Sequence, residues 1–435
     1  MNSLSARDAR RIALCAGSSP FTPVRPGIDG ALDAIRGAGF LQIDTIGVVE
    51  RAHLHVLKTR VPDCPADPLP ALEGVAEAGR PRSVIEYWAH AAAWIPLEDW
   101  RFCIPRMERI RADGHEWFRV EEAAVAFALD RVRAEGPLMA RDFTEQRAGR
   151  KGWWDWKPAK VALEFLFHAG ALVSVTRRGF QKVYDLAERA LPPGLDLRKP
   201  SPIEHARRHL ERSAVAYGVF AKEDATYLRR DGIEAIETAL AEAVEDGALI
   251  PVRVEGLGNR KFFATSDALS TTSPLDPHGG DAIGRAAPRH GWQARILSPF
   301  DPCVLDRKRL KRLFGEDYAL ECYLPASKRA FGYFALPVMV RGPDGDGFVC
   351  GKADCKLERV ENLLRLRRLE IRRPAYASVA DPKAIAESVA FAFAGLASRL
   401  GAHRVEIECF DRNDEALRAE TLRAFASAGF AEALS

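Results

Sequence analysis

One succession of local signals occurs twice in the middle of this chain, and it restricts the fold more than any other feature. Gly170-Ala171-Leu172 and, about a domain's length later, Gly247-Ala248-Leu249 each follow an amphipathic helix pattern and open a strand, a glycine turn and a return strand. In the first copy Val125, Ala128, Leu129 and Val132 form one apolar stripe at helical spacing, closed by Gly136-Pro137. Met139 to Phe143 reads as a short helical element. A second helix starts near Pro158, a favoured first-turn residue, with Ala162, Phe165, Leu166 and Ala169 on one face. Gly170 ends it; Leu172 to Thr176 and Gln181 to Asp185 are then strands joined at Arg178-Gly179. After a Pro-rich linker at residues 191–200 the order returns: Ile203 to Arg212, Lys222 to Leu228, Ile233 to Glu245, and a wing from Ile250 to Ala264 turning at Gly256-Leu257-Gly258. Helices followed by a two-stranded hairpin make a winged helix, and repetition at a domain-sized period predicts a tandem pair.

The flanks extend this plan. In the first 118 residues Ser5 can cap a helix to about Ala16, Asp29 to Arg36 and Arg51 to Arg60 read as helices, Phe40 to Val49 is apolar and β-branched, and Val84 to Ile95 reads as a strand pair. A polar linker at Asp276 to Gly284 leads to strands expected near Tyr318 to Tyr323, Ala330 to Met339 and Phe348 to Leu357, a helix from Pro382 to Leu400 and a strand at Arg404 to Phe410. The predicted class is α+β: winged helices over 1–118, 119–190 and 200–270, then a mixed α+β domain over 285–435.

Composition narrows the function classes. The 63 Lys and Arg nearly balance 60 Asp and Glu, so any nucleic-acid signal must come from where the charges sit. No apolar run reaches the ~20 residues of a membrane span, and the amphipathic start lacks a secretory pattern, which predicts a cytoplasmic protein with no membrane partner. The eight cysteines are scattered and read as reduced thiols. Phosphate-loop, dinucleotide, zincin and serine-hydrolase motifs do not occur. His205 and His209, and His53 and His55, are spaced like metal ligands but read as part of solvated basic helices, so no metal and no cofactor are expected. Basic residues cluster at Arg177, Arg178 and Lys182, at Arg260 and Lys261, at Arg307 to Arg312, at Lys328 and Arg329, at Lys352 and Lys356, and at Arg365 to Arg373. Each can neutralise phosphates or be an ordinary solvated face. Trp153, Trp154 and Trp156 between Lys151 and Lys157 leave two readings open, base stacking or packing between domains.

Gln42-Ile43-Asp44 is the candidate catalytic motif. In a strand, residues two apart share a face, so an amide and a carboxylate would project side by side while Leu41 and Ile43 anchor the other face. One group can hold a water and the other can be its base; the alternation of any half-buried strand gives the same pattern.

Leu41-Gln42-Ile43-Asp44-Thr45-Ile46, Glu86-Tyr87-Trp88-Ala89-His90, Gly152-Trp153-Trp154-Asp155-Trp156-Lys157-Pro158, Leu297-Ser298-Pro299-Phe300-Asp301-Pro302 and Leu320-Glu321-Cys322-Tyr323 with Lys328-Arg329 and Gly332-Tyr333-Phe334 resemble, in this order, the bacterial YcaQ-like family of winged-helix DNA glycosylases that unhook interstrand crosslinks. The resemblance implies three tandem winged helices framing a concave DNA channel. It also implies catalysis by Asp44 with Gln42, in the form of the motif that resembles the branch tolerant of N7-alkylguanine adducts. His90 and Thr45 are candidate supports of the site; Arg51, Lys157, Lys328, Arg329, Lys352 and Lys356 are candidate DNA contacts. The implied enzyme is monofunctional, uses no cofactor, and acts as a monomer in the bacterial nucleoid on double-stranded DNA carrying alkylated or crosslinked guanine. A winged-helix transcriptional regulator and a non-catalytic repair scaffold are the alternatives; binding without base release distinguishes them.

Overall fold

Apolar alternation lays out the largest sheet. Val338, Val340, Phe348 and Cys350 turn to one face while Met339 and Val349 turn to the other, the two-residue period of a strand. In the computed structural model, which describes residues 2–75, 79–114, 119–143, 158–270, 290–411 and 413–432, this sheet runs in the order Gln293–Ile296, Ala335–Arg341, Gly347–Glu358, Leu363–Ile371, Arg404–Ile407, Ala431–Glu432. The first four strands are antiparallel neighbours and the last two join in parallel. Register shifts fall opposite Val338/Met339 and at Asp354/Cys355. Each inserts one residue and exchanges the two faces. Phe348 and Cys350 therefore give way to Ala353 and Cys355, and Leu364 and Leu366 to Leu369 and Ile371, without leaving the same core. At the first bulge only glycine fits, because a Cβ on Gly351 would lie 1.8 Å from the Glu370 carbonyl oxygen.

Helices cover both faces. Pro382–Arg399 and Glu415–Ser427 bring Ile385, Val389, Phe393, Leu417 and Phe425 to one side; Ala6–Cys15 and Arg307–Phe314 bring Ile12, Ala13, Leu310 and Phe314 to the other. Ser5 caps the Ala6–Cys15 helix by accepting the Asp8 N–H at 3.0 Å, as its position implies. Helices Gly27–Ala38 and Ala52–Arg60 follow. Asn2–Leu4 adds in parallel to Ile250–Val254 in a second sheet completed by Lys261–Ala264 and Val219–Ala221. These elements form one compact unit of residues 1–66, 209–227 and 239–435.

The other unit comprises residues 67–208 and 228–238. It contains the hairpin Val84–Trp88 and Ala92–Pro96, the helices Ile104–Asp113, Glu122–Glu135 and Pro158–His168, and a small sheet in the order Leu138–Met139, Gln181–Leu186, Leu172–Arg178. Ala128, Val132, Ala162, Leu166 and Ala169 are buried, as the stripes require. The succession recurs along the chain as Pro202–Tyr217, Val219–Ala221, Lys222–Ala225, Ile236–Glu245, Ile250–Val254 and Lys261–Ala264.

Several expectations are corrected. Tyr318 to Tyr323 is not a strand: the Tyr318 hydroxyl donates to the Ala335 carbonyl at 2.7 Å and the chain continues as a loop. Leu363–Ile371 is a strand hidden from the sequence by its arginines, which pair with carboxylates just after the neighbouring strand Arg404–Ile407; Arg365 meets Glu408 at 3.0 Å and Arg368 meets Asp411 at 2.9 Å. The histidine pairs are not solvated. His53, His55, His205 and His209 are all buried, and His55, pushed down to about 4 by burial and the Arg399 charge and so neutral, donates from Nε2 to the Ile296 carbonyl at 2.8 Å. Among the described residues no group of three or more His, Cys, Asp or Glu is placed to hold a metal ion, and no helix is long and apolar enough to cross a membrane. All eight cysteines are free thiols. The linker Asp276 to Gly284, Trp153, Trp154, Trp156 and Lys157 lie outside the described residues.

Candidate active site

The motif segment is fixed at both ends by helices. Gly39, at φ 81°, ends the Gly27–Ala38 helix in the left-handed conformation that glycine adopts without strain, its N–H returning to the Ile35 carbonyl at 2.8 Å. Upstream the same helix touches its neighbour through backbone alone: a Cβ on Gly17 would lie 2.6 Å from the Gly37 carbonyl oxygen. Phe40, Leu41, Gln42 and Ile43 then run buried into the unit. Downstream, Val49 and Ala52 sit in the core of the large sheet with Ile46 and Val48 against it, and Arg51 stands at the start of the Ala52–Arg60 helix.

Between these anchors the chain turns sooner than the sequence implies. The strand is only Leu41–Gln42, and Asp44 Oδ1 accepts the Ile46 N–H at 2.7 Å, a side-chain turn that breaks the extended run. Asp44 therefore lies beyond the strand: Gln42 is buried with Leu41 and Ile43, Asp44 is half-buried in the turn, and Thr45 beside it is exposed. Burial raises the Asp44 carboxyl above its ordinary value, and the Ile46 N–H offsets only part of that. Among the described residues Oδ2 accepts no hydrogen bond. A carboxylate with one oxygen held by backbone and its basicity raised is suited to take a proton or to face a developing positive charge.

The Leu320–Phe334 segment comes to the same place. Leu320, Cys322, Tyr333 and Phe334 pack on the core that holds Ile46, Val48 and Val49. The Cys322 thiol and the Tyr323 hydroxyl are both raised, first by burial and then by the Asp44 charge. Glu321 organises this loop, its carboxylate accepting the N–H groups of Phe331 at 2.8 Å, Ala330 at 2.9 Å and Gly332 at 3.0 Å. Sequence reasoning used the Leu320-to-Tyr323 run only for its resemblance and took Lys328 and Arg329 alone from this stretch as site candidates, because charge was the signal it followed.

The remaining candidates lie on other elements. His90 is half-buried in the connection between Trp88 and Ala92, in the second unit, and burial with the Arg229 charge lowers it to about 4, so it is neutral at physiological pH. Its motif partner Glu86 is a buried structural anion, accepting both guanidinium nitrogens of Arg177 at 2.8 and 2.7 Å. Lys328 is exposed; Arg329 donates to the Leu324 carbonyl at 2.9 Å and covers the Tyr333 ring at 4.8 Å. Lys352 lies 3.5 Å from Glu370, and Lys356 2.8 Å from Glu358. Arg307 to Arg312 is a helix whose charges mostly turn inward: Arg309 is buried beside Asp224 at 3.9 Å, Arg312 pairs with the same carboxylate, and Arg307 donates to the Pro299 carbonyl at 2.6 Å. Lys308 and Lys311 alone of that cluster are exposed.

The motif region is braced from below by a buried ion pair. Arg60, at the end of the Ala52–Arg60 helix, gives two hydrogen bonds to Asp301, at 2.6 and 2.7 Å, and others to the Ser18 and Val56 carbonyls. Asp301 also accepts the Cys303 N–H at 2.9 Å, so one carboxylate of the Leu297-to-Pro302 motif fixes both a helix start and the helix that follows the catalytic candidate.

The fold is similar to that of the Streptomyces sahachiroi DNA glycosylase AlkZ, at TM-score 0.54 and 17% sequence identity, covering 94% of this chain and 100% of that one. A profile described as DNA glycosylase AlkZ-like matches residues 35–403, a span that takes in the Asp44 turn, the buried Arg60–Asp301 brace and the loop ordered by Glu321. With that match over most of its length, the chain belongs to the AlkZ-like DNA glycosylase family and is a DNA glycosylase.

Proposed function

We propose that this DNA glycosylase is monofunctional, that it excises N7-alkylguanine and unhooks crosslinks formed through that atom, and that Asp44 is its catalytic carboxylate. The observation that carries the reading is the state of Asp44: a half-buried acid of raised basicity, held through one oxygen by the Ile46 N–H. N7 alkylation gives guanine a positive charge, so the base leaves without a strong general acid. As the bond from C1′ to N9 breaks, its electron pair goes to the base and positive charge develops on the sugar, which the Asp44 carboxylate stabilises. Water adds to C1′, its proton passes to Asp44, and an abasic site remains. Gln42, with a donor and an acceptor, orients the water or the sugar edge, with Thr45 and His90 as supporting groups. No amine nucleophile is needed, hence no strand cleavage.

The substrate is double-stranded DNA, held by three tandem winged helices and a concave channel, with Arg51, Lys157, Lys328, Arg329, Lys352 and Lys356 toward its phosphates. Lys352 and Lys356, each beside a glutamate, contribute least per contact. A base tied to the opposite strand cannot flip freely into a closed pocket, so an open channel suits it. The enzyme acts as a monomer at the nucleoid. The test is release of N7-methylguanine, and separation of a nitrogen-mustard crosslink, by wild type and by Asp44→Asn. Asparagine keeps the acceptor for the Ile46 N–H, so the turn survives while the base is lost. A fall of about 100-fold or more is expected; equal release by the two proteins overturns the role of Asp44.

A further inference from the structure

Among the described residues no aromatic side chain is as exposed as Tyr323, at 72%, and Leu324 beside it is exposed too. Single exposed apolar residues need no explanation, but these two stand on a loop that is fixed from every side. Glu321 ties the two limbs together through three backbone N–H groups. The Leu324 N–H returns to the Glu321 carbonyl and the Lys328 N–H to the Pro325 carbonyl, each at 2.9 Å. Arg329 holds the Leu324 carbonyl and covers Tyr333. The Lys352 and Arg368 cations lie 4.5 and 4.7 Å from the centre of the Phe331 ring. A Cβ on Gly332 would meet the Asp354 carboxylate at 2.4 Å, so the limb sits flush on the sheet. An aromatic displayed on so rigid a support loses little entropy when it binds.

We infer that Tyr323 is a stacking platform for a nucleobase at the lesion, with Leu324 as its apolar flank and Lys328 on the adjoining phosphate. The partner is argued from three features: the loop packs on the core shared with the Asp44 turn, an exposed lysine follows the aromatic by five residues, and the family acts on DNA. A base left unpaired by damage or excision presents a face that any flat ring can cover, and such stacking is insensitive to sequence. The inference rests on Asp44 marking the reacting sugar.

The test uses the full chain with a duplex carrying a tetrahydrofuran abasic analogue beside 2-aminopurine, together with single-turnover release of N7-methylguanine. Tyr323→Ala weakens binding to the abasic duplex by about 10-fold and abolishes the change in 2-aminopurine fluorescence, while Tyr323→Phe stays within about twofold of wild type on both. Lys328→Ala lowers the slope of log K against log salt by about one contact, and Tyr323→Ala leaves that slope unchanged. Because Tyr323 is exposed, both variants fold, which an unchanged melting temperature verifies. Tyr323→Ala indistinguishable from wild type, or Tyr323→Phe as impaired as Tyr323→Ala, overturns the platform. Wild type that binds the abasic duplex but releases no N7-methylguanine refutes the proposed lesion and leaves the stacking result standing.

Discussion

Asp44 couples a functional prediction to a stability prediction of opposite sign. Its carboxyl is raised by burial, so the ionised form that the proposed role requires is lost, as pH falls, at a higher pH than for an ordinary aspartate. The acid limb of kcat/KM therefore lies above the usual carboxylate range and disappears in the residual activity of Asp44→Asn. The same shift makes ionised Asp44 a cost to the folded state: the proton is bound more tightly folded than unfolded, so stability falls as pH rises from about 4. Asp44→Asn is expected to melt at or above the wild-type temperature at pH 7, the difference vanishing below about pH 4; scanning calorimetry at both pH values measures this. The motif was legible in the sequence as a pair of chemically apt residues, but its geometry was not. A strand period assumes every N–H belongs to the ladder, whereas the Ile46 N–H belongs to the Asp44 side chain.

Among elements, the two hairpins of the second unit meet over Glu73. Its carboxylate accepts the Trp94 indole N–H at 2.7 Å and the Thr176 hydroxyl at 2.8 Å, joining Ala92–Pro96 to Leu172–Arg178. Burial outweighs those two bonds and raises Glu73 from 4.5 to about 7. Protonated Glu73 favours the fold, and the stabilisation is lost as pH rises from about 4.5 to about 7, amounting to roughly 3 kcal/mol. Urea denaturation between pH 5 and 8 should show this decline, and Glu73→Gln should flatten it; an equal decline in both proteins would assign it elsewhere. The repeat that predicted the Leu172–Arg178 hairpin is local, carried by glycine turns and helical stripes, so sequence reveals it. The pairing of that hairpin with Glu73 is non-local and leaves no periodic trace. Arg365 to Arg373 escaped for a related reason: the arginines are open to phosphate contacts or a solvated face until Glu406, Glu408, Asp411 and Asp414 are brought across from the following strand and its flanks.

For the whole molecule, the Arg60–Asp301 pair joins segments 241 residues apart, with side chains only 2% and 0% exposed. Breaking it leaves a buried carboxylate uncompensated, so Arg60→Met should lose about 3–5 kcal/mol in denaturant unfolding, and adding Asp301→Asn should restore part of that. Additive losses in the double variant would show that the two do not act as a pair. Sequence showed Asp301 only as part of a motif and Arg60 only as the end of a helix, since contact across such a separation is written in neither residue's surroundings. The same separation bears on how the protein is made. Asn2–Leu4 pairs with Ile250–Val254, and the unit holding both also draws on residues 239–435. During synthesis Asn2–Leu4 therefore precedes its partner strand by the whole of the other unit, residues 67–208 and 228–238. Folding of residues 67–208 and 228–238 is therefore expected to precede closure of the Asn2–Leu4 pairing.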